Sequence, residues 1–126
     1  RVSVVSLPPL GEATSGAAAE VIGAYNEEIR ACVASDSRAV YVPFSEELVP
    51  RLALGNGEPF DATSSGFGSS VAEMYQNTAA KSLPFGPSFD TLASLRGRSV
   101  VHDKIHLTES SAAILVELLV KVFQSA

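Results

Sequence analysis

A short, mainly apolar run opens the chain, VSVVSL from Val2 to Leu7, and a second run, AVYVPF, covers Ala39 to Phe44. Runs with so little polarity predict strands that are buried on both faces, as in a parallel sheet. Pro8 ends the first run, because proline donates no ladder hydrogen bond and fixes the backbone. A helical pattern from Ala17 to about Ser35 separates the two runs, so the sequence predicts a βαβ unit and an α/β fold.

Two further helices are predicted from apolar spacing. The last one follows the N-cap Thr108 and runs to about Gln124, with a buried stripe made of Ile114, Leu115, Leu118, Leu119 and Val122. Another lies around Ser69 to Lys81, inside a region rich in Gly, Ser and Pro. That region carries four phenylalanines that could line an acyl pocket or a lid, but we expect core packing, since aromatic residues are mostly core material. They are Phe60, Phe67, Phe85 and Phe89.

Composition limits the class of function. The chain has 126 residues, 46% apolar and 18% charged, which is typical of a globular domain with a real core. Its formal net charge of -5 does not suit nucleic acid, whose binding depends on clustered Lys and Arg. No apolar run approaches the length of a membrane span. Cys32 is the single cysteine and lies on the apolar face of the first helix, so we assign it to the core.

Asp103 and His106 are the residues that could carry chemistry. They stand three apart, directly before the N-cap Thr108. An aspartate so placed can accept the imidazole Nδ1–H, which fixes the tautomer and leaves Nε2 to take a proton from a serine hydroxyl. From the residues alone two simpler interpretations stay open: both side chains are solvated in a loop, or Asp103 only caps a turn.

Three stretches together resemble the SGNH, or GDSL-type, family of serine esterases and lipases. Residues 103–106, Asp-Lys-Ile-His, precede an amphipathic C-terminal helix and are similar to the family's last block, Asp-x-x-His. Residues 4–12, VVSLPPLGE, with a helix that carries Tyr25, Asn26 and Ile29, look like the strand and helix after its third block. Residues 41–44, Tyr-Val-Pro-Phe, look like its last long strand.

The resemblance implies a fold and a reaction. The fold is a partial three-layer α/β/α domain of the flavodoxin-like type with a parallel sheet, and residues 1–126 would form the C-terminal portion of one SGNH hydrolase domain. Asp103 would orient the imidazole, and His106 would act as general base and then general acid in ester hydrolysis. Ligands of such sheets bind beyond the carboxyl ends of the strands, so Pro9 and Leu10 would contact a small ester substrate. No cofactor is implied.

Other parts of the family's pattern have no counterpart in these residues. The nucleophilic Ser, the oxyanion Gly and the Gly-x-Asn-Asp block normally lie before the point where this sequence begins, and Lys104 stands where members often have Gly. Arg1 leads at once into a strand, so we interpret the chain as a piece whose domain is completed elsewhere. Such a piece would not be an esterase by itself. It would self-associate or pair with the missing N-terminal portion, because a two-stranded sheet leaves an open edge.

Two alternatives compete with this interpretation. His102-Asp103-x-x-His106 imitates the zinc motif H-E-x-x-H, but that motif needs both His on one face of a helix, and here both precede the N-cap. We therefore expect no metal site and take His102 for a surface or packing residue. The competing class of function is non-catalytic: a binding or assembly module in which the Asp–His pair is incidental, or a pseudoenzyme.

Overall fold

The computed structural model describes residues 1–12, 15–52 and 64–125, of which 64–67 are described by their backbone only. Two strands and five α-helices cover most of these residues. They are β1 (Val2–Val5), α1 (Ala17–Ala34), β2 (Ala39–Val42), α2 (Phe44–Arg51), α3 (Ser64–Lys81), α4 (Phe89–Ser94) and α5 (Glu109–Gln124). A short 3-10 turn, Leu10–Glu12, follows β1. No helix in the described ranges is both long and apolar enough to cross a membrane.

β1 and β2 pair in parallel along their full lengths, and α1 connects them and packs on β2. The predicted βαβ unit is therefore present. Both strands are shorter than predicted: β1 ends at Val5 instead of Leu7, and β2 ends at Val42 instead of Phe44. The second difference has a clear cause, because Pro43 has no N–H to donate and leads directly into α2.

Helix α2 was not predicted, because its first residue belongs to the run Ala39 to Phe44 that was predicted as a strand. Phe44 is its first residue, and Glu46 and Glu47 lie in its first turn, where carboxylates stabilise the positive end of the helix dipole. Arg51 lies in the last turn, where a cation is favoured for the converse reason. Pro50 is tolerated in this helix at the cost of one backbone hydrogen bond near its end.

The hydrophobic core lies between β2, α2, α5 and the segment that precedes the Asp–His pair. Its buried members are Val42, Phe44, Leu48, Val100, Val101, Ile114 and Leu118. The stripe predicted for α5 is confirmed, because Leu115, Leu119 and Val122 pack against the same cluster. Each large buried side chain stabilises the fold by ~1.5–3 kcal/mol. The core therefore holds α5, and the loop in front of it, against the sheet.

Helix α1 exposes much of the face that its apolar spacing assigns to the core. Tyr25 is 59% exposed and Val21 is 53% exposed. Cys32 is exposed as well, so its assignment to the core is wrong. This face and the β1 residues Val2 and Val4 line an open apolar groove. The spacing marks the apolar face correctly, but no described element covers it.

The helix predicted around Ser69 to Lys81 is present as α3 and begins earlier, at Ser64. Helix α4 is not predicted, although its N-cap is readable: the Ser88 hydroxyl accepts the Thr91 N–H at 3.1 Å.

Core packing is the wrong prediction for Phe85, which is fully exposed in the turn after α3. Phe89 is half-buried at the start of α4. Phe60 and the side chain of Phe67 lie outside the described residues.

Candidate active site

The Asp–His pair lies in a tight hairpin between Val100 and Thr108. His102 N–H donates to the His106 carbonyl at 2.9 Å, and Thr108 N–H donates to the Val100 carbonyl at 2.9 Å. An antiparallel bridge lies between these two bonds. Residues 103–105 therefore form the tip of the hairpin, and His106 is the first residue of its returning limb.

The hairpin is anchored to the start of α5 by two buried hydroxyls. Thr108 caps the helix by accepting the Ser111 N–H at 3.3 Å, and its own hydroxyl donates to the Ser99 carbonyl at 3.0 Å. The Ser111 hydroxyl donates to the Val100 carbonyl at 2.9 Å. The N-cap predicted at Thr108 is confirmed, and it also ties both limbs of the hairpin to the helix.

Both carboxylate oxygens of Asp103 are occupied. Oδ1 accepts the backbone N–H groups of Ile105 at 3.1 Å and of His106 at 2.7 Å. Oδ2 lies 2.7 Å from Nδ1 of the His106 ring. The residue is 1% exposed, and its carbonyl accepts the hydroxyl of Ser70, a buried residue of α3. The predicted Asp103–His106 contact is therefore present, with a carboxylate that cannot rotate without breaking backbone bonds.

The protonation state of Asp103 follows from these contacts. Burial by itself would raise the pKa of the carboxyl, but the hydrogen bonds from His106 and Ile105 outweigh it and hold the pKa of Asp103 below its usual value. An ionised carboxylate has no proton to donate, so the hydrogen of the Asp103–His106 bond belongs to Nδ1 of the ring.

His106 presents the other edge of its ring outward. Its side chain is 56% exposed, whereas that of its partner Asp103 is buried. With the proton on Nδ1, the neutral imidazole carries a lone pair on Nε2. No described residue other than Asp103 hydrogen-bonds this ring. The arrangement can accept a proton at Nε2 and stabilise the resulting imidazolium.

His102 is a packing residue, one of the two roles expected for it. It is 4% exposed and stacks on Phe89 with ring centroids 4.1 Å apart and planes at 12°. The centroids of the His102 and His106 rings lie 6.0 Å apart. The site histidine therefore lies beside the stacked rings of buried His102 and half-buried Phe89.

The protonation of His102 is set by Asn77 of α3. Arg96 donates to the Asn77 Oδ1 at 2.8 Å, so the amide nitrogen faces His102, where it donates to the carbonyl at 2.8 Å and lies 3.0 Å from the ring Nδ1. Nδ1 of His102 must then accept, which places the proton of the neutral ring on Nε2. Burial lowers the pKa of His102 although the negative charge of Asp103 opposes it, so this ring stays neutral beside the pair.

The two histidines do not form a zinc-like arrangement. His102 and His106 lie on the two limbs of the hairpin before α5 and not on one face of a helix, which is what the H-E-x-x-H motif requires. Within the described ranges, no group of three His, Cys, Asp or Glu side chains could hold a metal ion.

A contact that sequence reasoning missed joins this hairpin to the turn after β1. Glu12, buried in that turn, accepts the backbone N–H groups of three consecutive hairpin residues, Ser99, Val100 and Val101. A glutamate in a loop rich in Gly and Pro carries no local signal for burial. The contact spans 87–89 positions of the chain.

Pro9 and Leu10 are half-buried directly before this contact. Gly11, the next residue, donates its N–H to the Lys104 carbonyl at 2.9 Å, so the Pro9–Leu10 segment borders the hairpin tip. Their role in binding a substrate stays a prediction.

Comparisons of the chain with protein-family models, with curated proteins and with solved structures found no match.

Proposed function

We propose that this chain supplies the aspartate and histidine of the catalytic triad of a serine ester hydrolase of the SGNH type. The observation that carries the proposal is the 2.7 Å bond between the buried carboxylate of Asp103 and Nδ1 of an exposed imidazole, His106. The pair combines a buried carboxylate, whose pKa is held below its usual value, with an accessible ring. A triad requires both.

In the proposed reaction, Nε2 of His106 takes the proton of a serine hydroxyl while its oxygen attacks the ester carbonyl. Asp103 stabilises the imidazolium that forms. His106 then returns the proton to the leaving alcohol, which leaves an acyl-enzyme. In the second half, His106 takes a proton from water, the hydroxide attacks the acyl group, and the acid leaves as the serine regains its proton. The reaction needs no cofactor.

The proposal assigns the nucleophile to residues outside this sequence. Ser70 is the serine that contacts Asp103, but it is buried and its hydroxyl donates to the Asp103 carbonyl, so it acts as a brace. In the proposed domain, β1 and β2 belong to a larger flavodoxin-like sheet. The parallel pairing of two short strands and the open apolar groove beside β1 support that extension. An ester bound beyond the carboxyl end of β1 would meet Pro9 and Leu10.

A fluorophosphonate probe, which reacts with activated serine hydroxyls, tests the proposal in the complete protein that carries this sequence. We expect covalent labelling of the parent and almost none of the His106→Ala variant. The variant Asp36→Asn changes a partly exposed carboxylate between α1 and β2, and it should be labelled like the parent. Labelling of His106→Ala at the parental rate would reject the proposal.

A non-catalytic assembly module is the second candidate, and the apolar groove along α1 and β1 favours it. That function predicts that Tyr25→Ser, in the groove, weakens association with a partner, whereas His106→Ala changes nothing that can be measured. The esterase proposal predicts a loss of activity for His106→Ala.

A further inference from the structure

We infer that Glu12 is a positioning residue that holds the Asp103–His106 pair in its working geometry. The inference rests on the proposed function and names a residue that the triad itself does not include. Glu12 lies in the Leu10–Glu12 turn after β1, far from the pair in sequence, and is linked to it through backbone N–H groups of the segment that leads into the hairpin.

The contact is a buried anion held by consecutive amides. Glu12 is 2% exposed. Its Oε1 lies 2.6 Å from the N–H nitrogen of Ser99 and 2.9 Å from that of Val101, and it also accepts the N–H of Val100. Successive N–H groups that converge on one point form a concave anion site. Hydrogen bonds to an ionised acceptor are stronger than neutral ones, so the carboxylate fixes the backbone of residues 99–101.

The backbone of the turn supports the same conclusion. Gly11 and Glu12 both have left-handed backbone, with φ of 67 and 65 degrees. A residue with a side chain is disfavoured there, so Glu12 keeps this conformation because its surroundings hold it. Gly11 donates its N–H to the carbonyl of Lys104, itself left-handed at φ 76 degrees, at 2.9 Å. The turn therefore holds the hairpin at two places.

The two contacts lie on either side of Asp103 along the chain. Residues 99–101 enter the hairpin just before Asp103, and Lys104 follows it at the tip. Because the His106 backbone is bonded to Asp103 and to His102, a shift of the entering limb carries the imidazole with it. A serine from another part of the domain would then meet a displaced Nε2. Glu12 holds the hairpin through the N–H groups of residues 99–101, so its effect on the rate acts through the position of the imidazole.

Glu12→Gln in the complete protein separates this role from general support of the fold. The amide keeps the shape but loses the charge that gathers three N–H groups. We expect kcat to fall by about 10–100-fold, with KM within about twofold of the parent, since misplacement of a catalytic group by an ångström costs rates of this order. We also expect the low-field proton signal of His106 Nδ1–H to weaken or shift. Glu20→Gln, at an exposed glutamate of α1 outside the groove, should match the parent in both measurements.

A folded Glu12→Gln variant with parental kcat and an unchanged Nδ1–H signal would overturn the inference. If this variant does not fold, amide hydrogen exchange of the unsubstituted protein decides instead. The N–H groups of Ser99, Val100 and Val101 should exchange together and slowly, and exchange at the rate of open loop amides would overturn the inference. These readouts do not need esterase activity. An inactive parent would therefore count against the proposed function and leave the role of Glu12 to be decided by the two spectroscopic measurements.

Discussion

Replacing Asp103 by Asn should reverse the tautomer of His106 while leaving the hairpin almost intact. The amide oxygen can keep the two backbone bonds that Oδ1 now accepts, from Ile105 at 3.1 Å and His106 at 2.7 Å. The amide nitrogen then stands where Oδ2 was, 2.7 Å from Nδ1. Because an amide nitrogen only donates, Nδ1 must accept and the ring proton moves to Nε2. A ring protonated at Nε2 cannot take the proton of a serine.

The size of the effect follows from what is lost. The variant loses one charge-assisted hydrogen bond, worth ~1.5–3 kcal/mol of stability at most, and regains part of it through the reversed bond. Activity should fall much further, by ~10⁴-fold in kcat, which corresponds to about 5.5 kcal/mol of transition-state stabilisation. We would measure hydrolysis of a short-chain nitrophenyl ester and the ¹⁵N shifts of the His106 ring in the complete protein.

Asp36→Asn provides the matched control, because it makes the same chemical change at a partly exposed aspartate that pairs with Arg38. It should leave both the rate and the His106 shifts unchanged. The reasoning fails if Asp103→Asn folds and hydrolyses the ester at the parental rate, or if its ring remains protonated at Nδ1 at neutral pH.

Three further results are expected. Lys104→Gly should raise the free energy of unfolding by ~0.5–1 kcal/mol in urea titration, because relief of the left-handed strain outweighs the added freedom of glycine when unfolded; a loss of stability would contradict this. Burial would raise the pKa of Glu109, but hydrogen bonds from Lys81 and from backbone N–H groups lower it from 4.5 to about 2. The ionised carboxylate therefore stabilises the fold fully above pH 4.5, and this contribution is lost as the pH falls through 2. Glu109→Gln should remove that part of the acid dependence of unfolding, and an unchanged profile would show that the carboxylate does not contribute. The 126-residue chain alone should associate as its concentration rises in light scattering, and Tyr25→Ser should weaken this; a clean monomer would contradict it.

Local patterns were sufficient where one stretch of sequence decides its own structure. The Val-rich runs predicted the two parallel strands, and the Thr108 cap with the stripe through Ile114 and Leu118 predicted α5. The spacing of Asp103 and His106 before a capped helix left other interpretations open, and the hydrogen bond between them was predicted only together with the resemblance of residues 103–106 to the Asp-x-x-His block.

Local patterns failed where distant residues decide. Helix α2 was missed because Phe44 is apolar and directly follows a strand, so it looks like the last residue of that strand. Its packing with α5 favours the helix over a longer strand. Cys32 was assigned to the core because spacing marks an apolar face without showing what covers it. Glu12 was missed because its three partners lie at least 87 positions away, and a single sequence carries no information on such pairing.

The most direct test of the account is the rate at which the complete protein carrying His106→Ala hydrolyses a short-chain nitrophenyl ester. The variant removes the imidazole that is hydrogen-bonded to the buried carboxylate of Asp103. Because this ring is exposed, we expect its removal to leave the fold intact. The account predicts that kcat falls by ~10⁴-fold or more while the variant unfolds at close to the parental temperature. Hydrolysis by the folded variant at the parental rate would contradict it, and His106 would then have no part in catalysis.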